Sequence, residues 1–194
     1  MVQAGLQGAA GSRLTIGPSG RAMAQPMEPD LLAALQHHLG MERQAHIAYV
    51  AMALWSSERE LRGFAQFFKQ EAADELNHAA LFADYLVARG QRVALEALPA
   101  PQQQWTGIEE LLAMVFQMEA DVTTSLQQLY ALAEAAGDVR TTVFLDPIIQ
   151  GQTDAEHQVA HLLGRVRLAQ GNTAALLMID GEISAGQSLP TSLA

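Results

Sequence analysis

Apolar residues recur every three or four positions along four long stretches of the chain, which is typical of amphipathic α-helices that bury one face. Asp30 and Asp138 are suitable N-caps for the first and fourth stretches. A shorter apolar stretch, residues 173–183, predicts a fifth helix. The four long helices are predicted from about Asp30 to Ser57, Leu61 to Arg89, Gly107 to Ala136 and Asp138 to Gln170.

The connection between the second and third helices is long. It covers residues 91–106, contains Pro99 and Pro101, and has no helical period. Four helices with a single long crossover at this point are typical of one class of four-helix bundle. We therefore predict an all-α fold, with a four-helix bundle over residues 30–170 and a short fifth helix over residues 171–185.

Both ends of the chain lack apolar periodicity. Residues 1–29 are rich in Gly, Ala, Ser and Gln, and we interpret them as a disordered N-terminal tail. Residues 186–194 are predicted to form a flexible C-terminus. No apolar run reaches about 18 residues, so we expect no membrane-spanning segment and a cytoplasmic protein.

Composition narrows the possible chemistry. The chain has no cysteine, which excludes disulfides, thiolate metal sites and iron–sulfur clusters. Hydrophobic residues make up 49% of the chain but aromatic residues only 6%, so the core must be largely aliphatic, which favours helices. The formal net charge of -10 at pH 7 disfavours a nucleic-acid partner and suits cations instead.

The most informative short sequence is Glu75-Leu76-Asn77-His78, in the second helix. A carboxylate and an imidazole three residues apart lie one turn apart on the same helix face. The other residues of that face are mostly apolar, and an unpaired buried charge is strongly unfavourable. A metal ion is the partner that best suits both side chains of the Glu75 and His78 pair.

Two further helices carry a glutamate on the face that is predicted to be buried. Glu42 and Glu119 lie near the middle of the first and third helices, as Glu75 does in the second, so three carboxylates could meet at one level. Such carboxylates repel one another unless cations neutralise them. Carboxylates with one imidazole suit iron or manganese better than structural zinc. The alternative is a metal-free buried pair of Glu75 and His78.

The fourth helix offers two competing sets of ligands. Asp154 and His157 repeat the carboxylate-x-x-His spacing, but at about 100° per residue they point roughly 140–200° away from Gln152, which lies on the apolar stripe. Glu156 lies only about 40° from Gln152. We therefore predict Gln152 and Glu156 at the site, although a kink at Pro147 would rotate this phase and favour the other pair.

Together these residues resemble the ferritin family, and more closely the non-haem bacterial ferritins, over about residues 31–182. The resemblance rests on Glu42 with Tyr49 seven residues later, the Glu75-x-x-His78 pair, Glu119, and Gln152 near Glu156.

The resemblance implies a ferritin-like bundle with a di-iron ferroxidase centre inside each subunit. It also implies Fe(II) and either O2 or peroxide as reactants, and a homo-oligomeric cage of about 24 subunits that stores ferric mineral. The implied members of the centre are Glu42 and His78 for one iron, Glu75 as the bridge, Glu119, Gln152 and Glu156 for the second iron, and Tyr49 as a nearby electron or hydrogen-bond donor.

The chain departs from the family pattern at three positions. The family usually has a glutamate three residues after the glutamine of the fourth helix, where this chain has Ala155. Gly151 stands where an acid of an inner-surface iron site is expected, so we expect that site to be weak. Bacterioferritins bind haem through a methionine where this chain has Leu76, so haem is not expected. The alternatives are another di-iron or di-manganese carboxylate oxidoreductase, or a cage protein with a degenerate second iron site.

Overall fold

The computed structural model describes residues 15–187, which form a helical bundle and one small β-ribbon. The predicted all-α class is confirmed, and each helix boundary lies within two residues of its prediction. None of the helices in the described range has the length and hydrophobicity needed to cross a bilayer. The helices are α1 (Pro29–Ser57), α2 (Arg62–Ala88), α3 (Ile108–Ala135), α4 (Val139–Leu168) and α5 (Thr173–Ser184).

Polar side chains define where three of the helices begin. The carboxylate of Glu28 accepts hydrogen bonds from two backbone N–H groups in the first turn of α1, at 2.8 and 3.0 Å. Glu28 is therefore the cap of α1, and the prediction that Asp30 plays this part is wrong. Asp138 caps α4 as predicted, and Asn172 caps α5.

The bundle is built from two helix pairs whose core is interrupted by a polar layer. α1 packs along α2, α3 packs along α4, and the long connection after α2 joins the pairs. The buried apolar side chains form two clusters, one containing Phe64 and Phe68 and the other containing Phe82. On each of α1, α2 and α3, one buried glutamate stands between residues of the two clusters: Glu42, Glu75 and Glu119.

The short helix α5 closes one end of the bundle. Asp180 accepts a hydrogen bond of 2.9 Å from the backbone N–H of Phe64, in the first turn of α2, which has no side-chain cap from its own N-cap residue. Gly63 permits this contact, because a Cβ there would lie 2.0 Å from the carbonyl oxygen of Asp180. α5 therefore supplies the cap that α2 otherwise lacks.

A small ribbon precedes α1. Strands β1 (Thr15–Ile16) and β2 (Ala22–Met23) pair in antiparallel fashion. Gly17, between them, lies so close to the end of α2 that a Cβ would be 2.4 Å from the carbonyl oxygen of Gly90. Ser19 donates a hydrogen bond of 2.9 Å to that same oxygen.

The defined course of residues 15–28 differs from the prediction that the chain is disordered up to residue 29. Apolar periodicity does not indicate the ribbon, because glycine and backbone groups make its principal contacts. Residues 1–14 lie outside the described part of the chain. So do residues 188–194 of the predicted flexible C-terminus.

The end of the bundle beside the ribbon contains a buried ion pair. Arg89, directly after α2, donates two hydrogen bonds to the carboxylate of Asp138, at 3.0 and 2.6 Å, and both side chains are 6% exposed. Burial alone would raise the pKa of Asp138, but the hydrogen bonds and charge of Arg89 outweigh it and hold that pKa below its ordinary value. The pair fixes the start of α4 to the end of α2.

Replacing Asp138 with alanine should destabilise the fold by about 3–5 kcal/mol, because the guanidinium of Arg89 remains buried without its partner. Denaturant unfolding followed by circular dichroism measures the change. The control is Arg62→Ala, which removes an ion pair whose side chains are 85% and 80% exposed and should cost no more than about 0.5 kcal/mol. Equal destabilisation by both variants would contradict this role of the buried pair.

Candidate metal centre

Three potential ligands converge from α1 and α2. One ligand atom each of Glu42, Glu75 and His78 lies within 4.8 Å of the other two. His78 Nδ1 is 3.2 Å from the carboxylate of Glu75 and 3.9 Å from that of Glu42. The Glu42 side chain is 1% exposed, and its Oε2 has no hydrogen-bond partner among the described residues. A buried carboxylate oxygen without a donor is well suited to a cation.

Glu119 of α3 forms the opposite side of the centre. The Tyr49 hydroxyl donates a short hydrogen bond to Oε1 of Glu119. The Gln152 side-chain amide donates to Oε2 of Glu119 at 2.8 Å, and to its backbone oxygen at 3.2 Å. The position of Glu119 is therefore fixed by groups from α1 and α4, on either side of it.

A cavity of about 280 Å³ connects these two groups of side chains. It is partly open, because the His78 side chain is 47% exposed, whereas Glu42, Glu75 and Glu119 are buried. The cavity can hold small ions, and its donors are mostly oxygen. Its lining comprises Glu42, Glu71, Asp74, Glu75, His78, Leu81, Glu119, Pro147, Ile148, Gly151, Gln152 and Ala155.

Burial raises the pKa of four glutamates around this cavity. Burial, reinforced by neighbouring carboxylates, raises the pKa of Glu75 to about 7 and that of Glu71 to about 8. Burial also raises the pKa values of Glu42 and Glu119. The hydrogen bond to Glu75 raises the pKa of His78 to about 9. At neutral pH Glu71 and His78 therefore hold protons and Glu75 is partly protonated, and a bound cation would displace these protons.

The donor set fits particular metals. Several carboxylate oxygens with one imidazole nitrogen and no sulfur suit iron or manganese, whereas closed structural zinc sites prefer cysteine and histidine. Tyr49 cannot serve as an anionic ligand at neutral pH, because burial and the charge of Glu119 raise its pKa well above its ordinary value. Its hydroxyl can donate a hydrogen bond, as it does to Glu119.

The structure places Glu156 outside this cavity, which differs from the prediction that it completes the second metal site. Glu156 accepts a short hydrogen bond from Thr123 and lines a separate, smaller cavity. The reason is helical phase. The residues of α4 that line the cavity are Pro147, Ile148, Gly151, Gln152 and Ala155. At about 100° per residue they span a sector of about 140° with Gln152 at one edge, and Glu156 lies about 40° beyond that edge. The apolar stripe therefore indicates the bundle-facing side of α4 but not the neighbouring sector that faces the cavity.

The other predicted positions on α4 agree with that phase. Gln152 reaches Glu119, and His157 and His161 are exposed. Asp154 is half-buried and does not line the cavity. The second carboxylate-x-x-His spacing, Asp154 and His157, therefore does not line this cavity.

His38 is a member of the centre that sequence reasoning missed. The side chain is fully buried, its Nε2 lies 2.9 Å from Oε1 of Glu42, and its Nδ1 lies 2.8 Å from the hydroxyl of Ser125. Burial lowers the pKa of His38 to about 4, so the ring is neutral at pH 7. The sequence does indicate this contact, because His38 lies four residues before Glu42 and residues with that spacing share a helix face. His38 can orient Glu42 towards the cavity.

Comparison with known proteins agrees with this architecture. A family model described as a ferritin-like domain matches residues 32–169. The bacterial non-heme ferritin of Staphylococcus haemolyticus is 32% identical over 130 residues, which cover 67% of this chain and 78% of that protein. The bacterial non-heme ferritin of an Escherichia coli O6:H1 strain is 23% identical over 158 residues, which cover 81% of this chain and 96% of that protein.

A solved structure is also similar. A ferritin of the hyperthermophilic archaeon Archaeoglobus fulgidus, described as a novel open-pore ferritin, superposes with a TM-score of 0.80 at 26% sequence identity. The match covers 82% of this chain and 98% of that one. The four-helix bundle with a short fifth helix is therefore shared with a ferritin.

Metal binding at this centre should release protons, and the apparent affinity should rise as the pH increases from about 6 to 8. The raised pKa values of Glu75 and His78 mean that both groups hold protons that must leave before they bind a cation. Calorimetric titration in buffers of different ionisation enthalpy counts the released protons. An affinity that does not change over this pH range would contradict the expectation.

Replacing His38 with leucine should weaken metal binding by about 10- to 100-fold, because Glu42 loses the neighbour that orients it. The matched control is His37→Leu, which alters the adjacent, exposed histidine and should bind with the parental affinity. Competition with a chromogenic chelator measures both affinities. Equal affinities for the two variants would show that His38 does not position Glu42.

Proposed function

This chain belongs to the ferritin family and is of the bacterial non-haem type, and from that premise we propose that it oxidises Fe(II) and stores the ferric product. The observation that carries the proposal is the convergence of Glu42, Glu75 and His78 opposite Glu119 around one cavity. Buried carboxylates at this density need cations, and their negative charge favours Fe(III) over Fe(II).

In the proposed reaction, iron is the substrate. Two Fe(II) ions bind in the cavity, roughly 3–4 Å apart as in other two-metal sites. Glu42 and His78 bind one ion, Glu75 bridges, and Glu119 binds the other. Each Fe(II) gives up one electron, and the two electrons with two protons convert O2 to hydrogen peroxide or convert peroxide to water. The protons that the glutamates and His78 release on metal binding are available for this step.

Tyr49 and Gln152 position the second half of the centre. Each hydrogen bond uses one lone pair of a Glu119 carboxylate oxygen and leaves the other lone pair of that oxygen free for a cation. The phenol of Tyr49 keeps this hydrogen bond to Glu119, and it would also be placed to donate an electron to iron or to the oxidant bound beside Glu119. We assign Tyr49 this supporting part and assign direct binding of iron to Glu119.

We further propose that the oxidised iron enters the interior of a homo-oligomeric cage of about 24 subunits, and that the protein acts in the cytoplasm. The acidic composition of the chain suits this function, because a negatively charged wall attracts Fe(II) and supports growth of ferric mineral. Native mass spectrometry or light scattering measures the assembly size directly.

The lining of the cavity also supports a second candidate function, a cage protein whose second iron position is weak. α4 contributes Gln152 and Ala155 to the cavity but no carboxylate. In such a protein, one ion would bind firmly and the other loosely, and oxidation would be slow. The two candidates differ in the rate of Fe(II) oxidation and in the number of ions bound by each subunit.

Glu75→Ala and His78→Ala should each slow aerobic Fe(II) oxidation by at least about 100-fold, because each removes a direct ligand. Stopped-flow absorbance of the ferric product measures the rate. The control is Asp121→Asn, which changes an exposed acid on α3 and should oxidise iron at the parental rate. Parental protein that oxidises iron no faster than buffer would contradict the ferroxidase activity, and unchanged rates in both ligand variants would contradict the assigned site.

A further inference from the structure

Glu71 is a carboxylate of the cavity that the proposed reaction leaves without a part. It lies four residues before Glu75 on α2, which moves it about 6 Å along the helix and rotates it by only about 40°. Glu71 therefore faces the same cavity, one turn closer to the Tyr49 end. Burial, and after it the negative charges of Glu119 and Glu75, raise the pKa of Glu71 to about 8.

The two metal positions of the cavity differ in the ligands available to them. The first position has Glu42, Glu75 and His78. The second has Glu119, while the residues of α4 that face it, Gln152 and Ala155 among them, include no carboxylate. When a metal has displaced their protons, Glu42, Glu75 and Glu119 together carry three negative charges, which is one fewer than two divalent ions require. A fourth carboxylate would balance the charge.

Glu71 is free to supply that carboxylate. It is half-buried, and its carboxylate accepts no hydrogen bond from any group between residues 15 and 187. In the same cavity, Glu42 Oε2 is buried and also without a hydrogen-bond donor. Most buried carboxylates accept hydrogen bonds, so the unpaired Glu42 oxygen indicates that a cation completes its coordination in this cavity. The Glu71 carboxylate lines the same cavity and has no hydrogen bond to break before it binds a cation.

We propose that Glu71 is a metal ligand of the second position, where it binds Fe(II) together with Glu119 and the bridging Glu75. It thereby supplies from α2 the carboxylate that α4 lacks at Ala155. This inference rests on the proposed function, because it assigns a further ligand within the same centre. With Glu71 as a ligand, the second position has a complete set of carboxylates, one of which comes from α2 instead of α4.

The direct test is anaerobic calorimetric titration of the assembled protein with Fe(II). The parental protein should bind about two ions tightly in each subunit. Glu71→Gln should keep the first ion at parental affinity and bind the second at least about tenfold more weakly. Glutamine preserves the size and polarity of the side chain, and circular dichroism with native mass confirms that the cage is intact. The matched control is Asp84→Asn, which removes an exposed acid from the same helix and should bind both ions normally.

A compensating change sharpens the test. If Glu71 replaces a carboxylate missing from α4, then adding Ala155→Glu to Glu71→Gln should restore tight binding of the second ion, because residue 155 faces the same cavity. Glu71→Gln that binds both ions at parental affinity would overturn the inference and leave the proposed function intact. So would an equal loss in Asp84→Asn, which would indicate a general effect of charge. Parental protein that binds no Fe(II) would overturn the proposed function as well.

Discussion

Mutual repulsion among buried carboxylates dominates the energetics in the middle of this bundle. Glu42, Glu75 and Glu119 project into one layer of the bundle, where low polarity strengthens their repulsion and raises their pKa values. His78 provides the nearest positive charge, which cannot balance three carboxylates. Without cations, the layer can exist only by holding protons. The layer therefore lowers the stability of the core, and it provides carboxylate oxygens that can bind cations.

The fold keeps this unfavourable layer in place by strengthening the regions on both sides of it. Apolar clusters lie above and below the glutamates. α5 caps the start of α2 at one end, and the Arg89–Asp138 pair joins α2 to α4 at the other. These contacts at both ends oppose a relative shift of the helices that would separate the glutamates. Hydrogen bonds from Tyr49 and Gln152 also hold the Glu119 carboxylate in position.

The parts of the centre that sequence could predict lie on long, regular helices. Glu42, Glu75, His78 and Glu119 follow the apolar period so closely that their meeting could be inferred from phase alone. On α4 the apolar stripe is rotated by roughly 60° from the sector that faces the cavity, so helical phase alone included Glu156, which instead contacts Thr123. Contacts between the helices decide which residues of such a stripe face the cavity. The ribbon before α1 could not be predicted from apolar periodicity, because it packs through the close approach of Gly17 to Gly90.

Two iron ions bound side by side in the layer of carboxylates would be visible by anomalous X-ray diffraction at the iron edge, from crystals soaked anaerobically in Fe(II). We expect two iron peaks roughly 3–4 Å apart inside the cavity, the first beside Glu42 and His78 and the second beside Glu119. Iron peaks found only at exposed acids, with none in the cavity, would contradict this expectation.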